Sequence, residues 1–563
     1  MQCSFAFGRS VALRRRSYPP KRVDRMSLYA NDAPTLEPPV TTAHAAAVPQ
    51  ASEGTLRKLL LGSGSRVAFL AVNTVIGLLM TPYILHSLGD RYFGLWALTS
   101  TVVGYYSILD LGLSGSLFTQ MSHALGARDH ISANRIYSTG LALYCWIAVL
   151  IMSVAAGCAF VIHLAWPSAD AAVVPLILLT GFHVAIGFPM RAPYGVLNAG
   201  SHFDLTNAIN IGAAVLRVIA MVFCLRSGYH VVGLAFAQLL AAIPGFIAVL
   251  MAVRLRYPFM TVRLKSAWHA STAKSLFHFA GPVLLGQVAD RLRLQSDALV
   301  VSFALGLEAV AHYNVASTLA MYYLDGVTAV VGVLSPLLAR QFGAGDHEGL
   351  RRNTLLGTRA SIVCATFIGF LIVSVGPSFI QRWMGARFLD AYPVLLMLAG
   401  AIFIELTQIT ATSALYATKN VKVFARINVA EALANVVLSI ILVRRLGMIG
   451  VALGTLIPAL AVRGVGMLLA VRRCLNISPA LYADSSLAAL GRSAFCLVLP
   501  AALAYRFVRP DYLTIATVSA ISAVLFAAPI WISEFHCIGI TTSPTAFRIL
   551  HRLRPTRSLT TKA

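Results

Sequence analysis

The chain has 563 residues, of which 58% are hydrophobic and 12% charged, and its mean hydropathy is +0.75. A water-soluble domain is about a quarter charged, so this composition excludes a soluble globular protein and points to a polytopic membrane protein. The net charge of +24 does not argue for nucleic acid, because Lys and Arg sit in short gaps between apolar runs, where membrane topology gathers them.

In chain order, residues 1–57 are polar, Pro-rich and basic ("RRRSYPPKR") and read as a disordered cytoplasmic N-terminal tail, with Met26 as an alternative start. Apolar runs of membrane length follow near 60–85, 93–118, 137–164, 171–190, 205–225, 230–253, 277–303, 310–339, 356–379, 391–416, 423–443, 448–471, 486–505 and 513–534. They predict about 14 transmembrane helices. Residues 536–563 form a basic C-terminal tail. Lys and Arg outside the runs concentrate in the segments on the N-terminal side of the membrane, which puts both termini in the cytoplasm. The loops on the other side are short and leave no room for an extramembrane catalytic domain.

The two halves resemble each other at a fixed offset. Leu88-Gly89 recurs at Leu305-Gly306, Tyr105-Tyr106 at Tyr322-Tyr323, "LGARD" at 125–129 as "FGAGD" at 342–346, and "VGLA" at 232–235 as "IGVA" at 449–452, each pair 217 residues apart. An offset of six spans brings the second copy in with the same orientation. The predicted fold is therefore all-α: two six-helix bundles, 58–255 and 256–475, related by an internal parallel repeat, with two added helices at 476–535. Transporters built on such repeats carry substrate between their halves.

Ionisable residues inside spans mark cavities or bundle interiors. The seventh span is richest: in "GQVADRLRLQSD", residues Gly286, Gln287, Asp290, Arg293 and Asp297 fall within an arc of roughly 100–120° of a helix, with Arg291 beside it. Asp290 and Arg293, three residues apart, are placed to pair. The alternative is a self-neutralised face packed against its neighbours. The first span carries an equivalent stripe, Ser63, Arg66, Asn73, Gly77 and Thr81, with Arg66 also placed to snorkel to the interface. Arg217 in the fifth span and Glu405 in the tenth line the cleft or satisfy another buried charge, and Arg426 and Glu431 in the eleventh are candidates for an interfacial pair. A cationic cleft suits a pyrophosphate, whose oxygens match arginine forks. In "GYYSILDLGLSGSLF" (104–118), Asp110 lies about 26 Å into its span at 1.5 Å per residue, close to the cytoplasmic face. It reads as an inner-gate residue or as a cap and helix-packing signature, with Gly112 and Gly115 allowing close helix approach.

The stretch "YFGLWALTSTVVGYYSILDLGLSGSLFTQMSHALGARD", followed by "DALVVSFALGLEAVAHYNVASTLA", "LSPLLARQFGAGDHEGLRR", "WMGARFLDAYPVLLMLAG" and "MIGVALGTLIPALA", resembles the polysaccharide transporter (Wzx-type) flippases of the multidrug/oligosaccharidyl-lipid/polysaccharide exporter superfamily. The resemblance covers roughly residues 60–475. It implies a MATE-like fold with a central cavity, and export of an oligosaccharide on an isoprenoid pyrophosphate from the inner to the outer leaflet of the plasma membrane. It also implies polysaccharide polymerase machinery as a partner. It makes Asp297 the family aspartate of the seventh helix, and Arg66, Arg291 and Arg293 candidates for the pyrophosphate or acidic sugars.

Competing readings are a multidrug or cation antiporter of the same fold, which would want a net acidic cavity, a peptidoglycan-precursor flippase, and an integral-membrane glycan polymerase or ligase. The last normally has a large outer loop that this chain lacks. The eight cysteines are scattered without a C-x-x-C pair, which argues against a disulfide framework or zinc site. No phosphate-cradling Walker motif is present, so ATP is not the direct energy source. Neither a catalytic set, a metal site nor a cofactor is expected.

Overall fold

The computed structural model describes residues 53–165, 170–261 and 268–530, and among them the secondary structure is helical with no strand. The predicted tails, apart from 53–57, lie outside the described residues. The first half holds α1 (Glu53–Tyr106), α2 (Leu113–Gly126), α3 (His130–Ala165), α4 (Val173–Ala199), α5 (Phe203–Arg226) and α6 (His230–Arg256). The second holds α7 (Ala270–Leu305), α8 (Leu307–Val331), α9 (Ser335–Gly343), α10 (His347–Trp383), α11 (Ala391–Thr407), α12 (Ile409–Ala417), α13 (Val421–Pro458) and α14 (Val465–Leu475). Three further helices follow, α15 (Pro479–Cys496), α16 (Val498–Phe507) and α17 (Tyr512–Ile530).

Among the described residues, nine helical stretches are long and apolar enough to cross a membrane, or eleven if each of two bent pairs is one span. The sequence predicts about fourteen. Two physical features separate the counts. The stretches 64–110 and 421–475 contain 47 and 55 residues, and at 1.5 Å per residue each would be about 70–80 Å long, more than twice the ~30 Å hydrocarbon core. Non-helical glycines, Gly89 and Gly447, break them. Second, α7 is too charged to register as an apolar span, with Lys274, Asp290, Arg291, Arg293 and Asp297 along it.

The repeat is visible in the backbone. Gly89 (φ 76°, ψ 169°) and Gly306 (φ 91°, ψ 177°) make the same break in the two halves. Arg128 (φ 56°) corresponds to Gly345 (φ 72°), and His230 (φ 46°) to Gly447 (φ 58°). All three pairs keep the 217-residue offset. The left-handed region is costly for residues with a Cβ, so the first copy tolerates strain at Arg128 and His230 that the second relieves with glycine.

One apolar cluster crosses between the halves at the Gly89/Gly306 end: Met80, Ile84, Leu85 and Phe93 of α1 pack with Val310, Val315, Trp383 and Phe388. A Cβ on Gly94 would run into the Leu307 carbonyl, so close approach there requires glycine. The same end carries a clasp. Pro82 sits inside α1 and has no N–H, so it leaves the Leu78 carbonyl without its i+4 donor. The Trp383 indole N–H of the other half takes that carbonyl at 2.6 Å, and Arg387 pairs with Asp90 at 3.0 Å. Toward the other end, Ala273 and Leu276 of α7 pack with Leu117, Tyr137 and Met121 of the first half.

Trp383→Phe should leave the Leu78 carbonyl unsatisfied at a cost of about 1–3 kcal/mol, read as a lower unfolding midpoint of the purified protein. Adding Pro82→Ala restores the intrahelical donor and should recover part of the loss. Equal midpoints for Trp383→Phe and the parent would show that the clasp contributes nothing.

Candidate functional site

The helical stripe of α7 faces a cavity of about 440 Å³ lined by Gln287, Asp290, Arg291, Arg293 and Leu294 of α7, by Leu324 and Glu405 of the second half, and by Ser107, Asp110, Ser114 and Arg191 of the first. A second cavity of about 340 Å³ shares Arg291, Arg293 and Leu294 and continues along α7 to Gln295 and Asp297, with Tyr313, Asn314 and Thr455 opposite and Ser100 and Thr101 of α1 closing it. The two cavities therefore succeed one another along α7, between the halves.

The pairing of charges differs from the sequence expectation. Arg293 is buried and pairs not with Asp290 but with Glu405, donating from both Nη atoms at 2.8 and 3.1 Å. Asp290 instead accepts from the Asn428 amide at 2.6 Å. Glu431 pairs with Arg463 at 2.9 Å, not with Arg426, which is exposed. Arg463 also donates to Asn428 Oδ1 at 3.0 Å and lies 3.6 Å from Glu405. The result is one connected set: Asp290, Asn428, Arg463, Glu431, Glu405 and Arg293. It ties α7 to α11, α13 and the π-helical turn Ala459–Gly464 that follows Pro458. A bidentate guanidinium–carboxylate pair is the geometry that best offsets burial of both charges.

Asp297 is buried and accepts from the Tyr313 hydroxyl at 2.7 Å and the Thr455 hydroxyl at 2.8 Å. Thr455 in turn accepts from Asn435 at 2.8 Å. Three arginines and three carboxylates line the larger cavity, so it is charge-balanced and not the cationic cleft that the sequence suggests. Within it Arg293 and Arg191 are occupied by carboxylates. Arg291 has no ion-pair partner among the described residues.

Asp110 takes the capping role that the sequence allowed. It is buried, at the end of a 3₁₀ turn (Ser107–Asp110) that follows α1. Leu111 (φ 50°) and Gly112 (φ 75°) are both left-handed, a reversal that a second side chain would oppose, and α2 restarts after them. The Asp110 carboxylate accepts from the Ser114 backbone N–H (3.2 Å) and hydroxyl (2.6 Å), at the positive end of α2. It also accepts from Tyr144 of α3 (3.1 Å) and pairs with Arg191 of α4 (2.6 Å). Arg191 stacks on Phe188 at 4.0 Å. Asp110 thus caps α2, ties three helices and faces the cavity. Gly112 serves backbone conformation. Gly115 is not a packing glycine: a Cβ there meets nothing within 4 Å, whereas one on Gly104 would strike the Gln295 side chain of α7.

Arg66 is exposed and lines none of these cavities. Asn73 and Arg217 come together, 3.5 Å apart, but in a separate cavity inside the first half. Sequence reading missed Arg191, Asn428 and Arg463. Arg463 carried a usable signal, a lone cation within the run 448–471, the criterion that singled out Arg217. Arg191 lay just beyond the run 171–190, flanked by Pro189 and Pro193.

A family model described as polysaccharide biosynthesis protein matches residues 62–342. The uncharacterized membrane protein EpsK of Bacillus subtilis is 24% identical over 61% of this chain and 68% of its own length. A putative O-antigen transporter of Shigella flexneri is 21% identical over 68% of this chain and 90% of its own. Among solved structures, the lipid II flippase MurJ in an inward closed conformation superposes with a TM-score of 0.65, at 14% identity, over 84% of this chain and all of that one. At that identity the likeness speaks for the two-bundle helical fold alone.

Arg463→Met should strand Glu431 beside Glu405, at a cost of about 3–5 kcal/mol for an uncompensated buried charge. The expected readout is a large drop in folded, monodisperse protein on extraction. Arg463→Gln combined with Glu431→Gln removes both charges and should recover most of that yield. A tolerated Arg463→Met would mean that the network does not hold α7 in place.

Proposed function

The chain belongs to the polysaccharide transporter family of membrane flippases, and from that premise we propose that it moves an isoprenoid-pyrophosphate-linked oligosaccharide across the inner membrane by alternating access. The observation that carries this reading is the pair of consecutive polar cavities along α7, walled on one side by α1, α2 and α4 and on the other by the second half. A glycan needs many hydrogen-bonding groups in an otherwise apolar bundle. Gln287, Gln295, Asn314, Ser100 and Thr101 supply them. The pyrophosphate needs cations with free N–H groups, and Arg291 is the one in the cavity without a carboxylate partner among the described residues. Arg191 is a second candidate, part-exposed at 31% and able to leave Asp110 for a phosphate oxygen.

Alternating access requires the halves to part at one end while closing at the other. The Trp383–Leu78 and Arg387–Asp90 contacts join the halves at the Gly89/Gly306 end and would break when that end opens. Asp110 and Gly112 sit in the break between α1 and α2, with Arg191 paired to Asp110, and would absorb movement at the other end. The two bundles (58–255 and 256–475) are the moving bodies, the helices of 476–535 are an addition to them, and Gln287, Asp290, Arg291, Arg293, Asp297 and Glu405 shape the substrate path. The distribution of Lys and Arg supports cytoplasmic termini, and the substrate implies a polymerase acting on the delivered glycan. The balance of arginines and carboxylates also favours a second reading, a cation antiporter in which Asp290 and Asp297 bind the cargo.

Deletion from a producing strain should abolish one surface polysaccharide while its complete oligosaccharide-lipid accumulates on the cytoplasmic side. Unchanged glycan with new sensitivity to cationic dyes would favour the antiporter. Arg293→Glu should abolish export, and adding Glu405→Arg should restore at least part of it, since the exchanged pair keeps one charge of each sign. Export by Arg293→Glu at the parental level would remove the buried pair from the mechanism.

A further inference from the structure

Inside the first half, α1, α4, α5 and α6 enclose a third polar cavity of about 350 Å³ that shares no residue with the two along α7. That volume lies within the range of small-molecule sites, about 300–1,000 Å³. Its lining includes Arg217, His183, Asn73, Gln238, Tyr194 and Asn210, and no Asp or Glu.

The contrast with three other buried or part-buried arginines is the point of departure. Arg191, Arg293 and Arg463 each meet a carboxylate within 2.9 Å. Arg217 meets none within ion-pair distance among the described residues. It donates to Asn73 Oδ1 at 3.5 Å, the outer limit of a hydrogen bond. His183 Nδ1 is buried with no hydrogen-bond partner among the described residues. The Tyr194 hydroxyl is already committed to Asn210 at 2.9 Å, and the Asn73 amide to the Phe69 carbonyl at 2.9 Å. A guanidinium, an imidazole and the Gln238 amide therefore converge on a cavity whose lining offers neutral amide and hydroxyl oxygens but no carboxylate to neutralise the arginine. A cation inside a membrane bundle normally finds an acceptor.

We propose that this cavity binds a phosphoryl group, as free phosphate or as the headgroup of a phosphorylated lipid. A guanidinium presents a planar fork that engages two oxygens. Chloride is a single acceptor atom and offers no separate oxygens to groups on opposite walls. A phosphoryl group engages the fork with two oxygens and keeps a third oxygen, which a carboxylate lacks, for His183 and Gln238. The site is distinct from the cavity of the proposed transport path, and its occupancy does not depend on the flippase reading.

The test uses the full-length protein in lipid nanodiscs, with the thermal unfolding midpoint followed against inorganic phosphate in one arm and farnesyl phosphate in the other, at matched chloride ionic strength. A saturable rise in the parent is expected, lost in Arg217→Gln, weakened in Arg217→Lys and kept in Arg426→Gln, an exposed position far from the cavity. A response to inorganic phosphate at equal or lower concentration identifies the free ion. A response to farnesyl phosphate at tenfold lower concentration or less identifies a lipid headgroup. If Arg217→Gln is not monodisperse, His183→Ala with Gln238→Ala reads the same site and should raise the half-saturating concentration at least several-fold. No saturable rise with either probe, or a rise that these variants retain, overturns the proposal.

Discussion

The buried set Arg293–Glu405–Arg463–Glu431 is the constraint on which the second half of this molecule turns. Two guanidiniums and two carboxylates in a membrane-embedded bundle are each prohibitively costly alone and tolerable together, because every charge has an opposite charge within hydrogen-bonding reach. Satisfying all four requires α7, α11, α13 and the π-helical turn after Pro458 to meet in one rotational setting. That setting in turn decides what α7 shows to the first half. Asp290, held by Asn428, Arg291, with no carboxylate partner among the described residues, and Arg293, paired with Glu405, all border the cavity.

The two halves share a backbone and differ in electrostatics. Breaks at Gly89 and Gly306 and left-handed residues at His230 and Gly447 keep the same offset, so the geometry of the helical connections is duplicated. The charge networks are not. The first half has a compact capping cluster around Asp110, where the break between α1 and α2 is stabilised by its carboxylate and by Arg191 and Tyr144, and Arg217 within a cavity that no carboxylate lines. The two halves therefore present walls of unlike chemistry to the cavities between them.

Much of the architecture was legible in the chain itself. Hydropathy over windows of about 20 residues reports membrane class, because each window answers to the local solvent alone. The repeat was legible because paired glycines and loop motifs record backbone geometry directly. The stripe on α7 was legible because helical periodicity places Gln287, Asp290, Arg293 and Asp297 on one face whatever surrounds them. The span count was less so, since a glycine break such as Gly447 lies inside a continuous helical pattern.

Pairing was the part that local reasoning could not reach. Asp290 and Arg293 are neighbours on one helix, yet the partners they take are 138 and 112 residues away, because a cross-helix bidentate contact outcompetes an i,i+3 pair whose geometry is poorer. Arg66 satisfied the same sequence criterion as Arg293 and ended exposed, while Gly115 looked like a packing glycine and faces open space. The sequence by itself determined that this is a duplicated helical membrane protein with charge along its seventh helix, since composition, periodicity and offset are local or statistical properties of the chain. Only the tertiary structure decided which charges cancel, which remain available and where the cavities lie, since these depend on the rotation of each helix about its axis. That rotation is set by the summed contacts of its neighbours.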